Sequence, residues 1–279
     1  MVTSPRTTLR AAALIVFTTL AAAPLSAASA EESLDLRYSL SVGALGAADM
    51  ALRHEEDGEG YRSELSTRAR GVAHLLSRYQ SAAVTEGRES AGDGLAPESY
   101  RWISDQRQRT RTIDVVFDPD SGDVVRMEMQ RNGKPKRTEV PPELQVDVVD
   151  PLTAIFNLRR RTAETLAGEG PDRFGASVFD GRRRYDIEAE ILGRGRATID
   201  GEKHPVVEVK LNIRPLAGFD EHDLEQVPGE DGYARVQLSD DGRLVPLDVR
   251  TYGAPVATRL ELIEDCSDDG RRCGPIATN

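Results

Sequence analysis

Two cysteines and four histidines in 279 residues leave little material for thiol or metal chemistry. His54, His74, His204 and His222 fall in no His-Glu-x-x-His array. The chain also lacks a Gly-x-Ser-x-Gly elbow, a phosphate-cradling glycine loop and a dinucleotide fingerprint. These absences remove the motif-bearing hydrolases, nucleotidases and dehydrogenases and imply no cofactor. A hydrolase built from scattered residues stays open, because triads assemble in space rather than in sequence. Lysine is scarce, with only Lys134, Lys136, Lys203 and Lys210. No apolar run reaches the roughly 20 residues that span a bilayer.

The longest apolar run, Ala11 to Ala23, carries Leu14, Ile15, Val16, Phe17 and Leu20. It follows Arg6 and Arg10 and precedes Pro24 and Ala28-Ser29-Ala30, the order of a secretory signal peptide with its small-x-small cut. Residues 1–30 are therefore expected to be a signal peptide cut after Ala30. No Cys near the cut could take a lipid anchor, so the expected product is periplasmic, soluble or peripherally attached. Removing Arg6 and Arg10 from 36 Lys and Arg leaves 34 against 47 Asp and Glu, a net charge near −13. That balance speaks against nucleic acid or a bare anionic membrane as a partner. Cys266 and Cys273, with six residues between them, are expected to form a disulfide in an exported chain. A redox dithiol or half a metal site competes, without C-x-x-C spacing or a neighbouring His.

What remains alternates. Leu34, Leu36, Tyr38, Leu40 and Val42 share one parity, as do Ile113, Val115 and Phe117, and Tyr185, Ile187, Ala189 and Ile191. Val207 to Ile213, Ala234 to Leu238 and Val256 to Leu262 repeat it. Asp57-Gly58, Asp118-Pro119-Asp120-Ser121-Gly122, Asn132-Gly133, Asp180-Gly181, Asp200-Gly201 and Asp240-Asp241-Gly242 mark turns between the runs. The expected fold is all-β: an antiparallel meander of about a dozen strands, open or closed and barrel-like, with one central helix. That helix, over residues 150–161, starts with Asp150 at the N-cap and Pro151 at the first helical position, and shows Leu152, Ile155, Phe156 and Arg159 at helical spacing. One domain over 31–263 is expected, with halves 31–149 and 162–263 about the helix and a tail at 264–279. Val72 to Leu76 fits either a strand or a helical turn, and Gly87 to Pro97 and Pro215 to Gly232 read as long loops.

Two features bear on binding. Arg107, Arg109 and Arg111 continue the parity of Ile113, Val115 and Phe117, and Arg183 precedes Tyr185 on the parity of its run. Arg109, Arg111, Arg183 and Tyr185 are the candidate ligand-binding residues: a concave apolar sheet with arginine at its rim suits an amphiphile with an anionic head. The competing reading leaves these arginines in solvent with their stems on apolar surface. The acidic stretch Phe219-Asp220-Glu221-His222-Asp223-Leu224-Glu225 reads as a solvated loop rather than a metal site. No metal ligand and no catalytic residue is assigned.

The order of motifs resembles a bacterial exported family, domain of unknown function 3108. The pieces are Tyr38 to Ala48, Gly94-Leu95-Ala96-Pro97-Glu98-Ser99-Tyr100, Val116-Phe117-Asp118, Asp150-Pro151-Leu152-Thr153-Ala154-Ile155, Asp180-Gly181-Arg182-Arg183-Arg184-Tyr185, and Leu238 to Pro246. The resemblance implies a periplasmic, β-rich, barrel-like domain without catalytic residues to carry over, and it leaves the Cys266–Cys273 tail outside the family core. Three functions follow as expectations: a binding or carrier module for a lipid-like ligand, a structural or assembly factor of the envelope with a protein partner, and a hydrolase with an unrecognised site.

Overall fold

The period-two pattern is realised as one antiparallel sheet. A computed structural model describes residues 32–90, 94–199, 201–226, 232–254, 256–267 and 272–273. The signal peptide expected over residues 1–30, and its expected cut, lie outside these residues. The strands begin with β1 Glu32–Val42, β2 Leu45–Glu56, β3 Tyr61–Ala69, β4 Gln80–Ser90 and β5 Gly94–Gln106. They continue with β6 Arg109–Phe117, β7 Val124–Arg131, β8 Lys134–Lys136, β9 Arg173–Phe179 and β10 Arg184–Ile199. β11 Glu202–Ala217, β12 Tyr233–Ser239, β13 Pro246–Tyr252 and β14 Thr258–Asp265 complete the sheet. Helices α1 Gly71–Ser77, α2 Pro151–Leu166 and α3 Glu221–Gln226 interrupt the series.

Sequence neighbours pair throughout, except that β8 and β9 form the two edges and β1 pairs with β14 in the middle. Leu40 faces Leu260, and Tyr38 faces Leu262, across that central seam. The sheet is barrel-like but not closed. Both edges are blunted: β8 is three exposed residues with two lysines and Pro135, which discourage an added strand. Along β9, Val149 takes the outer edge, its N–H donating to Ser177 O at 2.9 Å and its carbonyl accepting from Phe179 N at 2.9 Å.

The inner face of β1–β6 wraps α2. Leu34, Leu36, Tyr38, Leu52, Tyr61, Tyr100, Ile113, Val115 and Phe117 pack around Leu152 and Phe156 as one buried cluster. A polar rung crosses this face, running His54, Ser63, Thr85 and Tyr100 on adjacent strands. The helix start is matched to that rung. The Asp150 carboxylate caps Leu152 N and Thr153 N at 2.9 and 3.2 Å and accepts from Thr85 Oγ1 at 2.6 Å. Thr153 Oγ1 also donates to it and lies 2.6 Å from Tyr61 Oη. Burial pushes the Asp150 carboxyl up, and these donors pull it back. One turn on, Asn157 brackets the backbone of Leu95, accepting from N at 2.7 Å and donating to O at 2.9 Å. The second half of the sheet packs its own cluster, Ala189, Val207, Val209, Val236 and Leu238, against Leu158 of the same helix.

The fourteen strands accord with the expected meander of about a dozen, and β2–β4 are the least legible because their inner positions carry His54, Ser63, Ala83 and Thr85, which weaken the apolar alternation there. The structure corrects several expectations. The helix runs to Leu166 rather than residue 161, since its last turns are polar and lack the apolar stripe. Val72 to Leu76 forms α1. Residues 87–97 are not one loop: 87–90 end β4 and 94–97 begin β5, with a bulge at Glu86/Gly87. The stretch from Pro215 extends β11 to Ala217 and then forms α3.

Phe156 is the side chain on which the packing of α2 converges. Phe156→Ala should cost about 3–5 kcal/mol, read as a lowered urea midpoint with a near-constant slope.

Candidate functional site: the arginine-bearing end

In an antiparallel meander successive turns fall at opposite ends of the strands, so the ends collect different sequence. One end gathers the β5–β6, β7–β8 and β9–β10 turns. Gly181 and Gly218, both at positive φ, bring these pieces together. A Cβ at Gly181 would lie 2.3 Å from Ile113 Cγ2, and one at Gly218 would lie 1.9 Å from Arg182 O. Only glycine allows the β9–β10 turn to rest on β6 and the start of the α3 segment to rest on that turn.

The consequence is a concentration of guanidinium groups. Arg111 lies directly opposite Arg131 on β7, a like-charge pair that costs sheet stability. Arg182 and Arg183 approach from the β9–β10 turn. Arg111 is pushed below the usual arginine range, first by burial and then by Arg182, Arg131 and Arg183, with Asp223 opposing. Asp223 on α3 is the carboxylate that answers this group. Arg183 grips it through two contacts, Nε to Oδ2 at 3.0 Å and Nη2 to Oδ1, and Arg182 lies 3.6 Å away. Arg111 and Arg131 have no ion pair among the described residues. Asp180 holds the turn itself, its carboxylate accepting from Arg182 N at 2.7 Å and Arg183 N at 2.6 Å.

Of the four candidate residues, the structure gathers Arg111, Arg183 and Tyr185 at this end and leaves Arg109 exposed on the β5–β6 tip. Arg183 is in the turn rather than in β10, which begins at Arg184, so the strand parity read from the sequence does not extend to it. The Tyr185 ring meets Phe219 edge-on at 6.2 Å, and the Arg183 guanidinium lies 5.3 Å from the Phe219 ring centre. Burial pushes the Tyr185 hydroxyl well above the ordinary tyrosine range. Arg131, Arg182, Phe219 and Asp223 were not singled out as one site. The Asp118–Gly122 turn signal, which joins β6 to β7 and so sets Arg131 opposite Arg111, was the available cue.

The opposite end is acidic. An open cleft of about 710 Å3 is lined by Glu32, Glu55, Glu56, Asp57, Glu59, Glu86 and Glu98, with Arg62 and Arg88. Behind it, His54 stacks on Phe156 at 3.7 Å, lies 2.9 Å from Ser63 Oγ through Nδ1 and 3.5 Å from Glu56 through Nε2. The His54 ring, then Arg160, hold the Glu56 carboxyl down to about 2 against the cost of burial. Glu32, His54 and Glu56 place ligand atoms within 4.8 Å of one another, but Arg159 and Arg160 already pair with the two carboxylates. Ser63 is fully buried, so this Ser-His-Glu group presents no nucleophile to the cleft. Asp223 of the acidic stretch is engaged by arginine, and the side chains of His222 and Glu225 lie outside the described residues. Cys266 and Cys273 are joined as a disulfide, and the Asp118–Gly122 stretch is a turn closed on its own Asp118.

These features define a class: a barrel-like antiparallel meander wrapped on one helix, with charged surfaces of opposite sign at its ends. The chain belongs to the DUF3108 family, described as a protein of unknown function, whose sequence model matches residues 35–257. The match stops before β14 and the cysteines. The chain is similar to a beta-barrel-like protein of domain of unknown function DUF1849 from Brucella abortus, at 14% identity and a TM-score of 0.49, covering 84% of this chain and 96% of that one. It is also similar to a candidate lipoprotein from Parabacteroides distasonis, at 11% identity and a TM-score of 0.34, covering 84% and 95%. No curated protein sequence matches. Among the described residues no helix is long and apolar enough to cross a membrane.

Glu56 gives a pH signature. Its folded carboxyl titrates below its ordinary 4.5, so its stabilisation is complete above that value and is lost as pH falls toward about 2. Between these limits, urea midpoints should fall more steeply in the parent chain than in Glu56→Gln.

Proposed function

We propose that this protein is an exported, non-enzymatic binding module of the cell envelope that receives the anionic head of a lipid-like amphiphile at its arginine-bearing end. The observation that carries this reading is the crowding of Arg131, Arg182 and Arg183 about Arg111, with Asp223 paired to Arg182 and Arg183. Guanidinium groups short of carboxylates are matched by a phosphate or carboxylate head, which they bind through charge-assisted hydrogen bonds. Export to the periplasm is supported by the signal-peptide pattern of residues 1–30 and is compatible with the disulfide. The apolar part of the ligand would lie outside the sheet, because Phe156 and its neighbours fill the space under β1–β6. That filled interior also favours a second reading, a structural or assembly factor that works through a protein partner.

Calorimetric titration of the chain from Glu31 with dodecyl phosphate, kept below its micellar concentration, tests the first reading. Saturable binding should weaken about tenfold or more in Arg111→Gln, the loss of one charge-assisted contact, and should be absent with uncharged dodecyl maltoside. No binding, or binding indifferent to Arg111, would overturn it.

A further inference from the structure

The arginine-bearing end carries a second feature that head-group binding does not use. None of the seven residues of α1 is buried. Val72, Leu75 and Leu76 are 58, 72 and 67% exposed, and Leu45 at the start of β2 is 67% exposed. These residues are neighbours. Arg70 N, just before α1, donates to Ala47 O at 2.9 Å, and the Arg70 guanidinium covers Gly46, where a Cβ would meet it at 2.8 Å. Arg107 Nη2, on the β5–β6 tip, donates to Leu75 O at 3.0 Å. A helix this short gains little from its own hydrogen bonds and is normally held by burying its apolar side chains. Here those side chains project into solvent from a helix and an adjoining turn, the mark of a surface that meets another phase or molecule.

We propose that this end of the sheet docks on an anionic lipid surface. Leu45, Val72, Leu75 and Leu76 enter the boundary between head groups and acyl chains, and Arg78 and Arg107 meet the phosphates. The inference rests on the head-group reading above and names a bilayer, rather than a single molecule, as the source of the heads. Charge complementarity selects the occupant. Arg78, Arg107 and Arg109 are exposed around the apolar residues. Among the described residues, the acids on the strands beside the patch are Asp49, which Arg70 holds at 2.9 Å, and Asp105; Asp220 and Glu221 are exposed at the same end, on the α3 segment against Arg182 and Arg183. A net charge near −13 speaks against a bare anionic membrane only if the charge is spread evenly. The carboxylate-lined cleft is at the far end of strands of 11 and 12 residues, about 35 Å away at roughly 3.3 Å per residue. That is several Debye lengths at physiological salt, so the local sign governs the approach. Projecting apolar side chains ringed by arginine match the geometry of interfacial insertion.

Flotation of the chain from Glu31 with vesicles of phosphatidylethanolamine and phosphatidylglycerol, and with vesicles of phosphatidylcholine alone, tests the proposal. The expected result is binding to the anionic vesicles only. It should weaken about tenfold or more in L75E/L76E through lost apolar burial, and about fivefold per arginine in R78Q/R107Q. The substituted side chains are exposed, so thermal unfolding should be unchanged and serves as the fold control. Trp102 is the sole tryptophan, so L75W in a W102F background should shift its emission to the blue on anionic vesicles. No vesicle binding, or binding indifferent to L75E/L76E, would overturn the proposal. Self-association abolished by L75E/L76E, without vesicle binding, would assign the patch to a second copy. Capture of dodecyl phosphate without vesicle binding removes the docking surface and leaves the head-group site standing. Vesicle binding through α1 without capture of dodecyl phosphate supports docking and removes the Arg111 site.

Discussion

The Asp150 carboxylate is fully buried and lies where β3, β4 and α2 converge. A carboxylate out of water must have its lone pairs answered, and here two backbone N–H groups and two threonine hydroxyls answer them. The same contacts fix where the helix starts and which way it points. Phe156 is thereby set against His54, Asn157 against the backbone of β5, and Arg159 and Arg160 against Glu32 and Glu56. The sheet curls around a helix whose position is specified by polar groups and whose adhesion is apolar.

The helix also separates the two ends of the molecule. Two of its three arginines are engaged at the acidic end, where Arg160 joins Glu56 and Glu89 and Arg159 joins Glu32. At the other end the cations of the turns outnumber the carboxylates, and Asp223 is shared between Arg182 and Arg183. Arg111 and Arg131 tolerate each other on one rung of the ladder, a local conflict of the kind retained at working surfaces. The acidic cleft, by contrast, is backed by His54, which lies between Ser63 and Glu56, and by Arg160, which pairs with Glu56.

Most of the fold was legible in the residues. Parity marked β1, β6, β10, β11, β12 and β14, the Asp-Gly and Asn-Gly pairs marked turns between them, and Asp150-Pro151 marked the start of α2. β3 and β4 were hidden because Ser63, Ala83 and Thr85 face inward to meet the helix, so their burial cannot be read as hydrophobicity. The site was legible in part. Arg111 and Tyr185 followed from parity, and Arg183 was named on a parity that ends where β10 begins, at Arg184. Its approach to Arg111 depends on Gly181 resting on Ile113, a contact 68 residues apart in the chain that no local pattern encodes.

The seam between β1 and β14 joins the first described strand to the last. A chain delivered N-terminus first presents β1 with one side of its ladder empty until residues 258–265 arrive. Open edges of that kind recruit other chains. Asp35 sits at this edge: its carbonyl accepts from Cys266 N at 2.9 Å and its carboxylate from Cys273 N at 3.2 Å. The Cys266–Cys273 disulfide thus holds to the end of the seam like a clasp. The interval between delivery of β1 and delivery of β14 is the period in which this protein is most exposed to mispairing.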